Sequence, residues 1–131
     1  MKIFGIGTDI VKISRIKKSF KNKLFLPRIF SKEEVLKCKK NINKFNCFAK
    51  RFAAKEAFSK ALGTGVSKGI HFNEIIILNE KNGKPFIKLI ANTKKIVEKK
   101  IKKKYRISLS ISDERDYAVA FVTISIWLKI N

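Results

Sequence analysis

The chain has 131 residues, 45% of them hydrophobic, with 31 Lys and Arg against 10 Asp and Glu, a formal charge of +21. That length holds one ordinary domain, residues 1–131, and the 11 Phe beside only 6 Gly and 2 Pro exclude a disordered chain. The apolar stretches at 75–78 and 118–128 are too short, or too interrupted by Thr123 and Ser125, to span a bilayer, and no secretory signal is visible, so the expected address is the cytoplasm.

The charge excess would attract any polyanion, whether nucleic acid, anionic lipid or an acidic protein. Most of it is Lys, in a chain also rich in Asn and Ile, the residues that A/T-rich codons encode; about half is therefore read as solvated surface without a recognition role. Cys38 and Cys47 fit neither a Cys-x-x-Cys metal pair nor a disulfide scaffold, and His71 has no ligand companion in sequence, so two reduced thiols are expected.

Residues 3–13 read as a strand, with Phe4, Ile6, Thr8 and Ile10 on one side and Gly5, Gly7, Asp9, Val11 and Ile13 on the other. Glycines inside a strand weaken it but let a ligand or another backbone come close, and the pattern leaves both readings open. Ser14 is placed to cap a helix running to about Leu24, which Pro27 ends. Ser31 followed by Glu34 is a capping-box pattern that opens a short helix over 32–40, before a polar turn at 41–46.

A long helix over 45–62 follows, closed by Gly63 and Gly65. Residues 72–78 and 85–90 form extended patterns, and Asn82-Gly83 between them signals a hairpin turn. Residues 93–104 read as a helix with a lysine-dense outer face, and 105–112 and 117–128 as a final pair of strands. Ser108, Ser110 and Ser112 give the first of these a polar face, whereas the second is apolar on both faces, which implies helices on one side and something such as a neighbouring subunit on the other. The order of elements predicts an α+β fold, an antiparallel sheet packed against a long helix and shorter ones.

The long helix carries the main functional lead. At 3.6 residues per turn, Phe45, Phe48, Ala49, Phe52, Glu56, Ser59 and Gly63 share one stripe, which places an acidic side chain on a core-facing surface. A buried carboxylate must be neutralised, paired or ligated to a metal. Asp9, on the glycine side of the first strand, and Glu56 could share a hard cation such as Mg2+, which takes one or two protein carboxylates and completes its shell with water and phosphate oxygens. Lys60, one turn beyond Glu56, would put a positive charge beside such a phosphate, and Gly63-Thr64-Gly65 offers backbone N–H groups. Each signal also has a plain structural reading: Lys60 as an i,i+4 partner of Glu56, Asp9 as a helix cap.

Gly5-Ile6-Gly7-Thr8-Asp9-Ile10-Val11 and the run from Arg51-Phe52-Ala53-Ala54-Lys55-Glu56 through Ser59-Lys60-Ala61-Leu62-Gly63-Thr64-Gly65 resemble the two signatures of the holo-[acyl-carrier-protein] synthase family, the short-type 4′-phosphopantetheinyl transferases. The likeness continues through Asn82-Gly83-Lys84-Pro85 and Ser112-Asp113-Glu114-Arg115-Asp116-Tyr117-Ala118, in order over nearly the whole chain. It implies a homotrimer with active sites between subunits that transfers the 4′-phosphopantetheine arm of coenzyme A to a serine of apo acyl carrier protein, releasing adenosine 3′,5′-bisphosphate, for fatty acid biosynthesis. Asp9 and Glu56 match the family's Mg2+ ligands and Lys60 its phosphate-binding lysine, while Ser59, Gly63, Thr64, Gly65 and Pro85 fall in segments that line the coenzyme A site. Glu56 is the candidate base and, with Lys60, the candidate catalytic pair. The acidic carrier would dock on the helix after the first strand: Arg15 matches the family's basic docking position, and Lys18, Lys21 and Arg28 join it by charge and helical geometry. Where some members carry histidine near the final turn, this chain has Asp113, so a histidine-based contact is absent.

Two rival readings remain at this level. A nucleic-acid-binding module would explain the charge, but most Phe residues fall on inward stripes instead of interleaving with basic residues on an exposed sheet. A scaffold role leaves the Asp9 and Glu56 coincidence without a purpose. The expectation is therefore no specific nucleic acid and no membrane as partner.

Overall fold

The computed structural model describes residues 1–63 and 69–128. Strand β1 (Lys2–Lys12) runs antiparallel to β5 (Tyr117–Ile126), which pairs in turn with β4 (Tyr105–Asp113), giving a sheet of order β1-β5-β4. The register sets Gly7 opposite Val122, Asp9 opposite Ala120 and Val11 opposite Ala118. Alternation then does what a pleat requires: Ala118, Ala120, Val122 and Ile124 point to the core, while Ile6, Ile10, Val119 and Phe121 stay exposed on the other face. Strands β2 (Ile75–Asn79) and β3 (Pro85–Leu89) form a separate hairpin, with β3 approaching β4.

Helix α4 (Lys44–Leu62) lies across the inner face of the main sheet. Its contact with β1 is a backbone contact. A Cβ added at Gly7 would fall 1.9 Å from the carbonyl oxygen of Ala57, and one at Gly5 1.9 Å from that of Ala61. Of the two readings open for these glycines, the fold uses close approach of another backbone.

On its far side α4 meets three short helices, α1 (Ile13–Ser19), α2 (Phe25–Ile29) and α3 (Lys32–Lys39). Phe20, Phe25, Phe30, Phe45, Phe48, Phe52 and Phe72 pack ring against ring there, Phe20 on Phe45 edge to face at 5.2 Å. Helix α5 (Ala91–Ile101) buries Val97 and Ile101.

The same side of α4 holds a charge that the stripe did not point to. Lys55 and Glu34 are both fully buried, and Lys55 Nζ donates to Glu34 Oε1 at 2.7 Å, to the Phe72 carbonyl at 2.8 Å and to the Ile75 carbonyl at 2.6 Å. All three ammonium donors are therefore spent. Glu34 also accepts from the Ser31 N–H as half of the expected capping box, and its Oε2 accepts from Ile77 N–H at 3.1 Å. Burial pulls the Lys55 ammonium down to about 8, against the opposing attraction of Glu34. One ion pair thus ties α3, α4 and the first strand of the hairpin together.

Several expected details change. The first helix stops at Ser19, and Ser14 does not cap it: β1 runs straight into α1, so Lys12 takes the cap position and the Ile13 N–H is met by the Asp116 carbonyl at 2.9 Å. Pro27 does not end a helix; it sits in the first turn of α2, where its missing N–H costs nothing. Residues 72–74 form a 3-10 turn ahead of β2, which aims the Phe72 carbonyl at Lys55. Helix α5 starts two residues before the expected Thr93, because Glu74 Oε1 from outside the segment accepts from the Thr93 N–H at 3.0 Å. Cys38 and Cys47, expected as thiols, are joined in a disulfide between α3 and α4, with Cα atoms 5.4 Å apart: the helix pairing brings together two residues whose spacing alone gave no such signal.

Replacing Lys55 by Met strands the Glu34 carboxylate in the core, so urea unfolding should show a loss of about 3–5 kcal/mol, and Glu34→Gln added to Lys55→Met should recover part of it. A single Lys55→Met variant as stable as the parent would contradict the role given to this pair.

Candidate active site

Asp9 enters the site from β1 because the strand alternation that faces Gly7 and Val11 inward also turns Asp9 toward α4. Its side chain is 16% exposed, and Lys60 Nζ lies 3.2 Å from Asp9 Oδ1 and 3.0 Å from the Thr8 carbonyl oxygen. Lys60 therefore reaches across to the strand and pairs with Asp9, not with Glu56 one turn earlier. Asp9 caps no helix: α1 has no side-chain cap.

Glu56 is half-buried rather than core-facing. Asp9 and Glu56 line one cleft of about 280 Å³ together with Arg15, Ile16, Ser19 and Phe52. Burial raises the Glu56 pKa above the usual carboxylate range, the negative charge of Asp9 raises it further, and Lys60 opposes both. A carboxyl raised in this way beside a second acid on the same cleft is a ready host for a cation. Among the described residues no cluster of three His, Cys, Asp or Glu could close around a metal. The donor set is thus two hard oxygen ligands with open sides, which fits Mg2+ with water or phosphate completing its shell and does not fit a closed structural zinc site.

The remaining expected residues divide. Arg15 lines the cleft, and Lys18, Lys21 and Arg28 are exposed on the same α1–α2 segment. Ser59 is buried, 2% exposed, and its hydroxyl has no partner among the described residues. Gly63 ends α4 at φ +89°, its N–H bonded to the Ser59 carbonyl at 3.0 Å. Thr64 and Gly65 lie outside the described residues. Pro85 opens β3 opposite Asn79 and is not among the residues lining the cleft of its own chain. Asp113 accepts from Asn46 Nδ2 at 2.9 Å and lies 3.6 Å from Lys50 Nζ, so the residue standing where histidine was considered fastens the β4–β5 turn to α4.

Arg51 was given no role from the sequence, although it opens the long-helix motif. It is 3% exposed, donates to the Cys47 carbonyl at 3.3 Å and to Asn79 Oδ1 at 3.1 Å, and its Nε has no partner among the described residues. An arginine inside an apolar helical pattern was the available signal, since such a side chain is rarely buried without a purpose. A larger hollow of about 620 Å³ lies between α2, α3 and Ile90; its one acid, Glu74, is engaged by Thr93, and the paired carboxylates are in the smaller cleft.

Comparison with known proteins converges on one group. A family model described as the 4′-phosphopantetheinyl transferase superfamily matches residues 5–122. The chain is 50% identical over 125 residues to the holo-[acyl-carrier-protein] synthase of Pelagibacter ubique, covering 95% of this chain and 98% of that protein. It is 46% identical over 124 residues to that of Vibrio campbellii, covering 93% and 97%. Among solved structures it is similar to the holo-[acyl-carrier-protein] synthase of Neisseria meningitidis, with a TM-score of 0.83, 40% identity and coverage of 94% and 98%. The Helicobacter pylori protein in complex with coenzyme A gives a TM-score of 0.77 at 36% identity, with coverage of 92% and 99%.

A carboxyl whose folded pKa exceeds its unfolded value costs stability at neutral pH, where it is ionised in both states, and the cost disappears as pH falls through the folded pKa. Thermal unfolding in chelator at pH 7 should therefore show Glu56→Gln no less stable than the parent, with any gain shrinking toward pH 4. A clearly lower melting temperature for the variant at pH 7 would contradict the strained acid pair.

Proposed function

The chain belongs to the 4′-phosphopantetheinyl transferase superfamily, and we propose that it works through the acid pair of its cleft, Lys60 and a basic docking face. It transfers the 4′-phosphopantetheine group of coenzyme A to a serine of apo acyl carrier protein, yielding the holo carrier and adenosine 3′,5′-bisphosphate, for fatty acid biosynthesis. The observation that carries the assignment of roles is that Asp9 and Glu56, from two separated motifs, line one cleft, and that Lys60 is paired with Asp9.

Asp9 and Glu56 would hold Mg2+, which would supply positive charge to offset that of the leaving group. Lys60 sets its ammonium against the same developing charge from another side. Glu56 is the group placed to take up the proton of the carrier's serine. Ser59, Gly63, Thr64, Gly65 and Pro85 complete the coenzyme A site. Because Pro85 does not line the cleft of its own chain, a site containing both calls for a second subunit. A homotrimer supplies one and covers the sheet face on which Ile6 is 59%, Ile10 66% and Phe121 47% exposed.

Arg15, Lys18, Lys21 and Arg28 form the docking face for the acidic carrier, adjoining the cleft through Arg15. No described helix is long and apolar enough to cross a membrane, and the proposed place of work is the cytoplasm, where carrier and coenzyme A meet. Nucleic-acid recognition is disfavoured because the phenylalanines it would need on the surface are largely interlocked around α4.

Incubated with Mg2+, coenzyme A and apo carrier, the protein should add the phosphopantetheine mass to the carrier, and Glu56→Gln should lower that rate by about 100-fold or more. Unmodified carrier with a folded sample, or full activity in the variant, would overturn the assigned roles. Reversing charge with Lys21→Glu should raise KM for the carrier by about tenfold at low salt while leaving kcat near the parent value, and added salt should shrink the difference. A salt-independent effect, or one confined to kcat, would remove Lys21 from the docking face.

A further inference from the structure

Lys60 makes two bonds to β1 that its phosphate role does not require. Its ammonium donates to Asp9 Oδ1 at 3.2 Å and to the Thr8 carbonyl at 3.0 Å, which accounts for two of its three donors among the described residues. The two partners differ in freedom: the Asp9 side chain is 16% exposed and fixed on a central stretch of strand, whereas that of Lys60 is 56% exposed on a flexible stem at the last turn of α4. We infer that Lys60 and a divalent cation compete for Asp9, so that the cation's arrival hands the lysine ammonium from the strand to the phosphates of coenzyme A. This rests on the proposed metal role of Asp9 and Glu56.

The physical reason is charge crowding. Asp9 and Glu56 together carry two negative charges, and Lys60 supplies one compensating positive charge through Asp9 Oδ1. A dication held by the two carboxylates would add two positive charges beside that ammonium, and the repulsion would act on the mobile partner. Lys60 then swings while Asp9 stays. Its stem keeps the ammonium beside the cleft, where a diphosphate replaces the lost carboxylate. Linkage makes the effect reciprocal: Lys60 weakens cation binding when no phosphate is present, and phosphate relieves the competition, so metal and coenzyme A each tighten the other.

Calorimetric titration of the whole protein with Mg2+ alone, without coenzyme A, reads the competition directly. Lys60→Met should bind Mg2+ about two- to fivefold more tightly than the parent, the range for losing one exposed ion pair. Arg15→Gln removes a positive charge from the same cleft without touching Asp9 and measures the through-space part alone; its gain should be smaller. In protein whose lysines carry 13C-methyl labels, the signal absent from Lys60→Met should move when Mg2+ is added. A Lys60→Met affinity equal to that of Arg15→Gln, unchanged or weaker, or a Lys60 signal indifferent to Mg2+, overturns the competition while leaving the metal site standing. Failure of the parent and both variants to bind Mg2+ overturns the metal site and the competition together.

Discussion

The contact on which the molecule depends is between main chains: the carbonyls of Ala57 and Ala61 rest on the α-carbons of Gly7 and Gly5. No side chain can stand there without pushing α4 off the sheet. The close seating fixes the distance between a strand that carries Asp9 and a helix that carries Glu56 and Lys60, and so creates a cleft with both acids on its wall. The cost is a strand with two weak positions, which pairing with β5 along nearly its whole length offsets.

The opposite side of α4 explains why that geometry can be rigid. Fully buried Phe48 and Phe58, the interlocked phenylalanine rings and the Lys55–Glu34 pair hold the helix from behind, so that it is gripped between sheet and short helices. A charged pair in the core adds little net stability over an apolar filling, but it is directional: five hydrogen bonds joining α3, α4, the 3-10 turn and β2 must align at once. A site that stabilises developing charge needs its groups placed before the reaction begins, and a helix clamped on two sides provides this.

How much of this was legible in the sequence follows from the same packing. The α+β order of elements, the capping box at Ser31 and Glu34, the Gly63 stop and the Asn82-Gly83 turn all rest on local backbone chemistry, and the structure has them. The stripe through Glu56 picked out the right residue for an incomplete reason. A helical wheel assumes one wet face, but α4 is buried on most of its circumference, so Glu56 sits at the margin of its stripe and the deeply buried charge is its neighbour Lys55. The Cys38–Cys47 bond, the cap that Asp116 gives α1 and the one that Glu74 gives α5 all join segments distant along the chain or brought together only by helix packing. No local pattern encodes them. The pairing of Asp9 with Lys60 belongs to the same class; resemblance brought the residues onto one page, and only the fold shows which atom meets which.

The central claim is that Asp9 and Glu56 jointly hold one divalent cation against a diphosphate. A crystal grown with Mn2+, which takes the same oxygen ligands as Mg2+, and with coenzyme A, measured at the manganese absorption edge, tests it most directly. The expected result is one anomalous peak within coordination distance of carboxylate oxygens from both residues, with the diphosphate on its open side. A peak held by only one of the two, or by other groups altogether, would contradict it.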